Sequence, residues 1–255
     1  MRFLFIVFLI FITILFTVPA YAIINPDTVI GIWLFEEEDA DIAEDFSGNE
    51  HHGEVIGDVK WVEGKFGKGL EFPGVSGNYV KVPHHQDLNL GIFTIVYWCK
   101  MGTTAGWQIP VAKAGGSIRN FDFQTPANGG SVSLYFTQGA SQWRGIDATT
   151  KITDEKWHHI AGTYDLENLR IYVDGNMENE SQYDGPPDAV DKPMTFGDME
   201  SAHPMLGILD EVGIFNKALS AKEIQQIMNQ GLDYGLNPVS ALDKLATKWS
   251  EIKNK

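Results

Sequence analysis

The loop Asp45-Phe46-Ser47-Gly48-Asn49 sets oxygen-bearing side chains at alternate positions around a glycine that lets the backbone turn. Such oxygens suit a hard cation, since Ca²⁺ takes six to eight oxygen ligands at roughly 2.3–2.6 Å. The same spacing equally describes an Asx-type turn that satisfies its own hydrogen bonds. A second chemistry is suggested by three aromatics set among Gly, Ser, Thr and Gln: Trp107, Trp143 and Tyr183. Sugar C–H faces pack on rings while hydroxyls seek hydrogen bonds, so these three are candidate ligand-binding residues; each also fits a lid over the core.

Three adjacent histidine pairs, His51-His52, His84-His85 and His158-His159, could hold a metal only from loops, because neighbours on a strand face opposite ways. His84-His85 follows Pro83 in a turn, and the sequence identifies no third zinc ligand for it. His158-His159 reads as structural, one ring packed and the other exposed. Cys99, the single cysteine, permits no intrachain disulfide and sits in an apolar run as a small buried hydrophobe.

The formal charge of −15 has no basic cluster set against it, which excludes nucleic acid and anionic membrane as expected partners. The acidic run Glu36-Glu37-Glu38-Asp39-Ala40-Asp41 reads as a solvated loop. At the N-terminus, Met1-Arg2, the apolar run 3–18 and Pro19-Ala20-Tyr21-Ala22 have the parts of a secretory signal, predicting cleavage after Ala22 and a mature start at Ile23. A retained anchor is the alternative, and no other stretch is long and apolar enough to span a bilayer. The expected location is secreted or extracytoplasmic, at the cell surface or in the periplasm.

What must position these residues is a succession of short Val, Ile, Phe, Tyr and Trp runs separated by Gly, Asn, Asp and Pro. The runs 30–35, 68–72, 78–82, 92–100, 107–112, 119–123, 131–137, 157–164, 168–173, 193–197 and 206–215 predict antiparallel strands. With almost no helix, the fold class is all-β, a two-sheet antiparallel β-sandwich or jelly roll spanning 23–231. Asp174-Gly175 marks a two-residue hairpin. Ser220 and Glu223 form a capping box, Leu219 and Ile224 a hydrophobic staple, and Gly231 a stop, predicting one helix over 221–230 with Ile224, Ile227 and Met228 facing the sandwich. In the tail 232–255, Leu242, Leu245, Trp249 and Ile252 recur at heptad-like spacing, which suits a second amphipathic helix or a docking segment, or a tail folded back on its own domain.

Several stretches resemble a family in order: Gly31-Ile32-Trp33-Leu34-Phe35, the Asp45 loop with His52-Gly53, Gly64-Lys65-Phe66-Gly67-Lys68-Gly69-Leu70-Glu71-Phe72, Trp157-His158-His159-Ile160-Ala161-Gly162-Thr163-Tyr164-Asp165, and Gly207 through Ser220. Over roughly 30–230 the chain resembles bacterial laminin-G-like domains of the concanavalin A-like lectin/glucanase superfamily. That resemblance implies a jelly-roll recognition fold whose members bind sugars, adhere, space or accompany enzymes. It also implies a structural calcium near the Asp45 loop with a carboxylate from the last strand, so the expected metal set is Asp45, Asn49 and Asp210. Concanavalin-type glucanases carry Glu-x-Asp-x-x-Glu, and Asp39-Ala40-Asp41-Ile42-Ala43-Glu44 matches two of the three acids in a stretch that reads as loop, leaving no competent catalytic pair. The expectation is a secreted non-enzymatic module binding carbohydrate or another extracellular ligand. A structural or adhesion domain with protein partners is the alternative, and a glycoside hydrolase comes last.

Overall fold

The computed structural model describes residues 24–38, 40–139, 142–199 and 202–233. The signal-like segment and the heptad-like tail beyond 233 lie outside them. Among the described residues no helix is long and apolar enough to cross a membrane.

The strands, in chain order, are β1 Val29–Trp33, β2 Ile42–Ala43, β3 Gly53–Ile56, β4 Lys60–Glu63, β5 Lys68–Pro73, β6 Tyr79–Val82, β7 Phe93–Met101 and β8 Val111–Gly115. They continue as β9 Ile118–Gln124, β10 Ser131–Gln138, β11 Gln142–Lys151, β12 Trp157–Tyr164, β13 Asn168–Val173, β14 Asn176–Gln182, β15 Met194–Phe196 and β16 Leu206–Phe215, followed by helix α1 Ala221–Gln230. Two antiparallel sheets result. The first runs β14-β13-β12-β7-β16-β5-β4 with β1 also on β16, and the second runs β11-β10-β9-β8-β15-β6-β3-β2. This is the expected all-β sandwich.

Alternation in the strands builds the core between the sheets, because successive side chains point to opposite faces. Ile95, Tyr97 and Cys99 of β7 and Leu70 and Phe72 of β5 meet Phe121, Phe123, Leu134, Phe136 and Phe196 of the second sheet in one buried cluster. Burial pushes the Cys99 thiol well above its ordinary pKa, so it serves as packing and not as a nucleophile. The other face of the first sheet is covered by α1, whose Ile224 and Ile227 pack with Val96, Ala161, Tyr172 and Leu219. Ser220 Oγ accepts from Glu223 N and the Glu223 carboxylate accepts from Ser220 N, which is the capping box the sequence predicts. Met228 is only half-buried. Asp174 and Gly175, at φ 51° and 74°, make the predicted hairpin between β13 and β14.

Five strands have no counterpart among the eleven runs: β2, β3, β4, β11 and β14. The run at 107–112 is displaced, its strand being Val111–Gly115 with an isolated bridge from Gln108 to Thr125. The histidine expectation also needs correcting. Both His158 and His159 are buried, because Asp154 and the hairpin residue Asp174 close over His158, contacting Nε2 and Nδ1 at 3.1 and 2.9 Å. His159 packs against Trp98, and burial lowers its pKa to about 3, keeping it neutral.

Candidate functional site

The outer face of the second sheet presents a row of side chains that alternate with the core. On β9, Phe121 and Phe123 point inward and Asp122 and Gln124 outward; on β10, Val132, Leu134 and Phe136 point inward while Ser133, Tyr135 and Thr137 point outward. Register places Tyr135 between Asp122 of β9 and Gly145 of β11. A β-carbon on Gly145 would lie 2.0 Å from Tyr135 Cδ1, so the absent side chain is what lets the ring lean across β11. From there Tyr135 Oη donates to Asp147 Oδ1 at 3.1 Å. Trp143 stands edge-on to Tyr135 with centroids 5.8 Å apart, and is 48% exposed. The Arg119 guanidinium lies 5.2 Å from the Trp143 ring centroid.

Beside this platform Asp122 is fully buried. Its Oδ2 accepts from Arg119 Nε at 2.9 Å and from Gln124 Nε2 at 2.6 Å, while Oδ1 has no hydrogen-bond partner among the described residues. Burial raises its pKa above the ordinary carboxylate value, against the opposing hydrogen bonds of Gln124 and Arg119. An unpaired buried acceptor is costly, on the order of 1–3 kcal/mol, and protonation of the carboxyl lessens that cost. The site therefore joins a rigid apolar surface to hydrogen-bonding groups held by packing.

The three aromatics expected to bind ligand have different fates. Trp143 lies on the platform. Trp107 is 44% exposed in the β7–β8 connection, next to the Gln108–Thr125 bridge that prolongs β9 beyond Asp122 and Gln124. Tyr183 is occupied elsewhere. Its ring packs on Phe136, and its hydroxyl donates to Gly145 O at 2.8 Å and accepts from Gly145 N at 3.2 Å, capping the free edge of β11. Its half-burial in that cap fits an edge cover better than a sugar platform.

The residues expected to hold calcium engage separate partners. Asp45 Oδ1 accepts from Ile32 N and Ser47 N, and Oδ2 from Ser47 Oγ and His51 N. Asn49 Nδ2 donates to Val29 O and Ile30 O. Together they cover the edge of β1 that β16 does not pair, an Asx-type turn used as an edge cap. Asp210 instead accepts on Oδ2 from Lys65 N and Phe66 N, holding the turn between β4 and β5. Burial raises its pKa to about 7 and that of the adjacent Glu211 to about 8. Of the glucanase-like acids, Asp41 and Glu44 are exposed and flank the two-residue β2, and Asp39 lies outside the described residues.

Tyr135, Arg119, Asp122, Gln124 and Asp147 were not singled out in the sequence. Their signal was there in the alternation of Phe121-Asp122-Phe123-Gln124 and Val132 through Gln138, which marks polar residues sharing one face of paired strands.

No curated protein matches this sequence. Among solved structures the fold is similar to the binding domain of Paraclostridial Mosquitocidal Protein 1, at 17% identity and TM-score 0.64 over 80% of this chain and 52% of that one. It is similar to a structure of botulinum neurotoxin type C, whose cell entry is described as dependent upon interaction with two ganglioside molecules, at 17% identity and TM-score 0.61 over 80% and 51%. The binding domain of botulinum neurotoxin DC in complex with rat synaptotagmin II is a third, at 16% identity and TM-score 0.63 over 80% and 52%. The chain spans about half the length of these structures, and at such identities the likeness is one of fold. A family model described as concanavalin A-like lectin/glucanases superfamily (Laminin_G_3) matches residues 74–225, more than half of the sequence. The chain belongs to this laminin-G-type family of the concanavalin A-like lectin/glucanase superfamily.

Proposed function

We propose that this protein is an extracellular binding module that takes carbohydrate on the outer face of its second sheet. The observation that carries the reading is the exposed Trp143 ring edge-on to Tyr135, whose hydroxyl orients the exposed Asp147. A pyranose face would stack on the exposed Trp143 ring, and a hydroxyl would donate to the exposed Asp147 carboxylate. Asp147 is already oriented by Tyr135, so it accepts at little entropic cost. The signal-like segment supports export and action outside the cytoplasm.

Binding, not hydrolysis, is the reading, because Asp122 is committed to Arg119 and Gln124 and retaining hydrolysis needs two free carboxylates about 5–5.5 Å apart. Toxin binding domains of this fold with ganglioside and protein ligands lend the class general support. The test is a glycan array followed by calorimetry on the best binder. Trp143→Ala and Asp147→Ala should each weaken binding about tenfold or more, the equivalent of about 1.4 kcal/mol. Equal affinity in both variants would remove this face as the site, and release of reducing sugar would replace binding with hydrolysis.

A further inference from the structure

His51, His85 and Asp87 come together from two loops that the sequence keeps far apart. His51 follows the Asp45 turn, while His85 and Asp87 lie in the connection after β6. One ligand atom from each lies within 4.8 Å of the others. His51 Nε2 stands 3.1 Å from Asp87 Oδ2, and His85 Nδ1 contacts Asp87 Oδ1 at 2.5 Å. The two imidazole centroids are 5.1 Å apart.

We propose that His51, His85 and Asp87 form a zinc(II) site with three protein ligands and one position open to solvent. Two imidazoles and one carboxylate are a donor set suited to Zn²⁺, and not to Ca²⁺ or Mg²⁺, which take oxygen. Tetrahedral zinc with bonds of roughly 2.0–2.1 Å spaces its ligand atoms about 3.3 Å apart. The His51–Asp87 pair meets that spacing already, and the exposed His85 ring needs only a modest opening.

His51 is fixed by its main chain. Its N–H donates to Asp45 Oδ2 at 3.0 Å, and its carbonyl accepts from Trp33 Nε1 at 3.1 Å. Asp45 is therefore a positioning residue for this site, acting through the His51 backbone. The nearby His84 and Lys113 are engaged with each other at 3.0 Å, His84 also with Asp191 and Lys113 with Lys192 O, so they stand beside the cluster without entering it. This site is independent of the carbohydrate face.

The test uses the full chain without a histidine tag. After equilibration with micromolar Zn²⁺ and dialysis, elemental analysis should find one zinc per chain, and Co²⁺ should give the visible bands of a four-coordinate ion. His85→Ala and Asp87→Ala, both at exposed positions, should lose the metal and the bands while keeping the parent's far-ultraviolet circular dichroism. His84→Ala should keep them. A parent chain that retains no zinc, or variants at 85 and 87 that retain as much as the parent, would overturn the assignment.

Discussion

The ring of Tyr135 occupies the space that a β-carbon on Gly145 would fill. Placing a methyl there forces the ring off β11 and away from Asp147 and Trp143, at an overpacking cost of roughly 1–3 kcal/mol. Gly145→Ala should thus weaken sugar binding about tenfold while the chain stays folded, as calorimetry beside a thermal melt would show. Undiminished affinity in a variant with a lowered Tm would separate Tyr135 from recognition.

Ser220→Ala removes the hydroxyl that accepts from Glu223 N at the start of α1. The expected loss is about 1 kcal/mol, within a usual range of roughly 0.5–2. α1 packs through Ile224 and Ile227 onto the first sheet, so the cost should appear in the global denaturant midpoint and not as local fraying alone. An unchanged midpoint would count against the cap as a stabilising contact.

The sandwich was legible where strands bury a face. β7, β10, β12 and β16 read directly, because one or both faces are apolar. β14, Asn176–Gln182, was not, since an edge strand that buries almost nothing carries no apolar period. β11 escaped because only Ile146 and Ala148 of its ten residues enter the core, too short an alternation to mark a strand, and with it went the neighbours of Trp143. The platform needed register as well as pattern: Asp122, Tyr135 and Gly145 become neighbours only when β9, β10 and β11 are paired. The histidine pairs show the same limit. His85 lacked a third ligand in sequence because His51 is supplied by another loop through tertiary contact.

Asp45 takes four hydrogen bonds from Ile32, Ser47 and His51, using the acceptor sites a cation would want. Metal-free protein should therefore melt at the same temperature with and without millimolar calcium. Asp45→Ala should cost on the order of 1–3 kcal/mol by stranding those donors on the edge of β1. A calcium-dependent rise in Tm that disappears in Asp210→Ala would instead restore the ion to which the resemblance points.

Asp210 and Glu211 sit side by side on β16, where the register with β7 is interrupted. Glu211, at φ 49°, turns its Oε2 to accept from Leu232 N at 2.6 Å. Burial, opposed by backbone hydrogen bonds, raises their pKa values to about 7 and about 8, and Glu36 and Asp233 add negative charge facing Glu211. In the unfolded chain such groups titrate near 4. Between about pH 4 and pH 8 the folded state therefore binds more protons than the unfolded one. Its stability from these groups is fully present below pH 4 and falls as pH rises through 7 and 8. Glu211→Gln keeps an oxygen for Leu232 N and removes the ionisation. The variant should match the parent at about pH 4 and exceed it at pH 9 by a few kcal/mol, on the order of 2–5, in denaturant unfolding. Parallel pH profiles for the two proteins would show that Glu211 is already ionised in the folded chain.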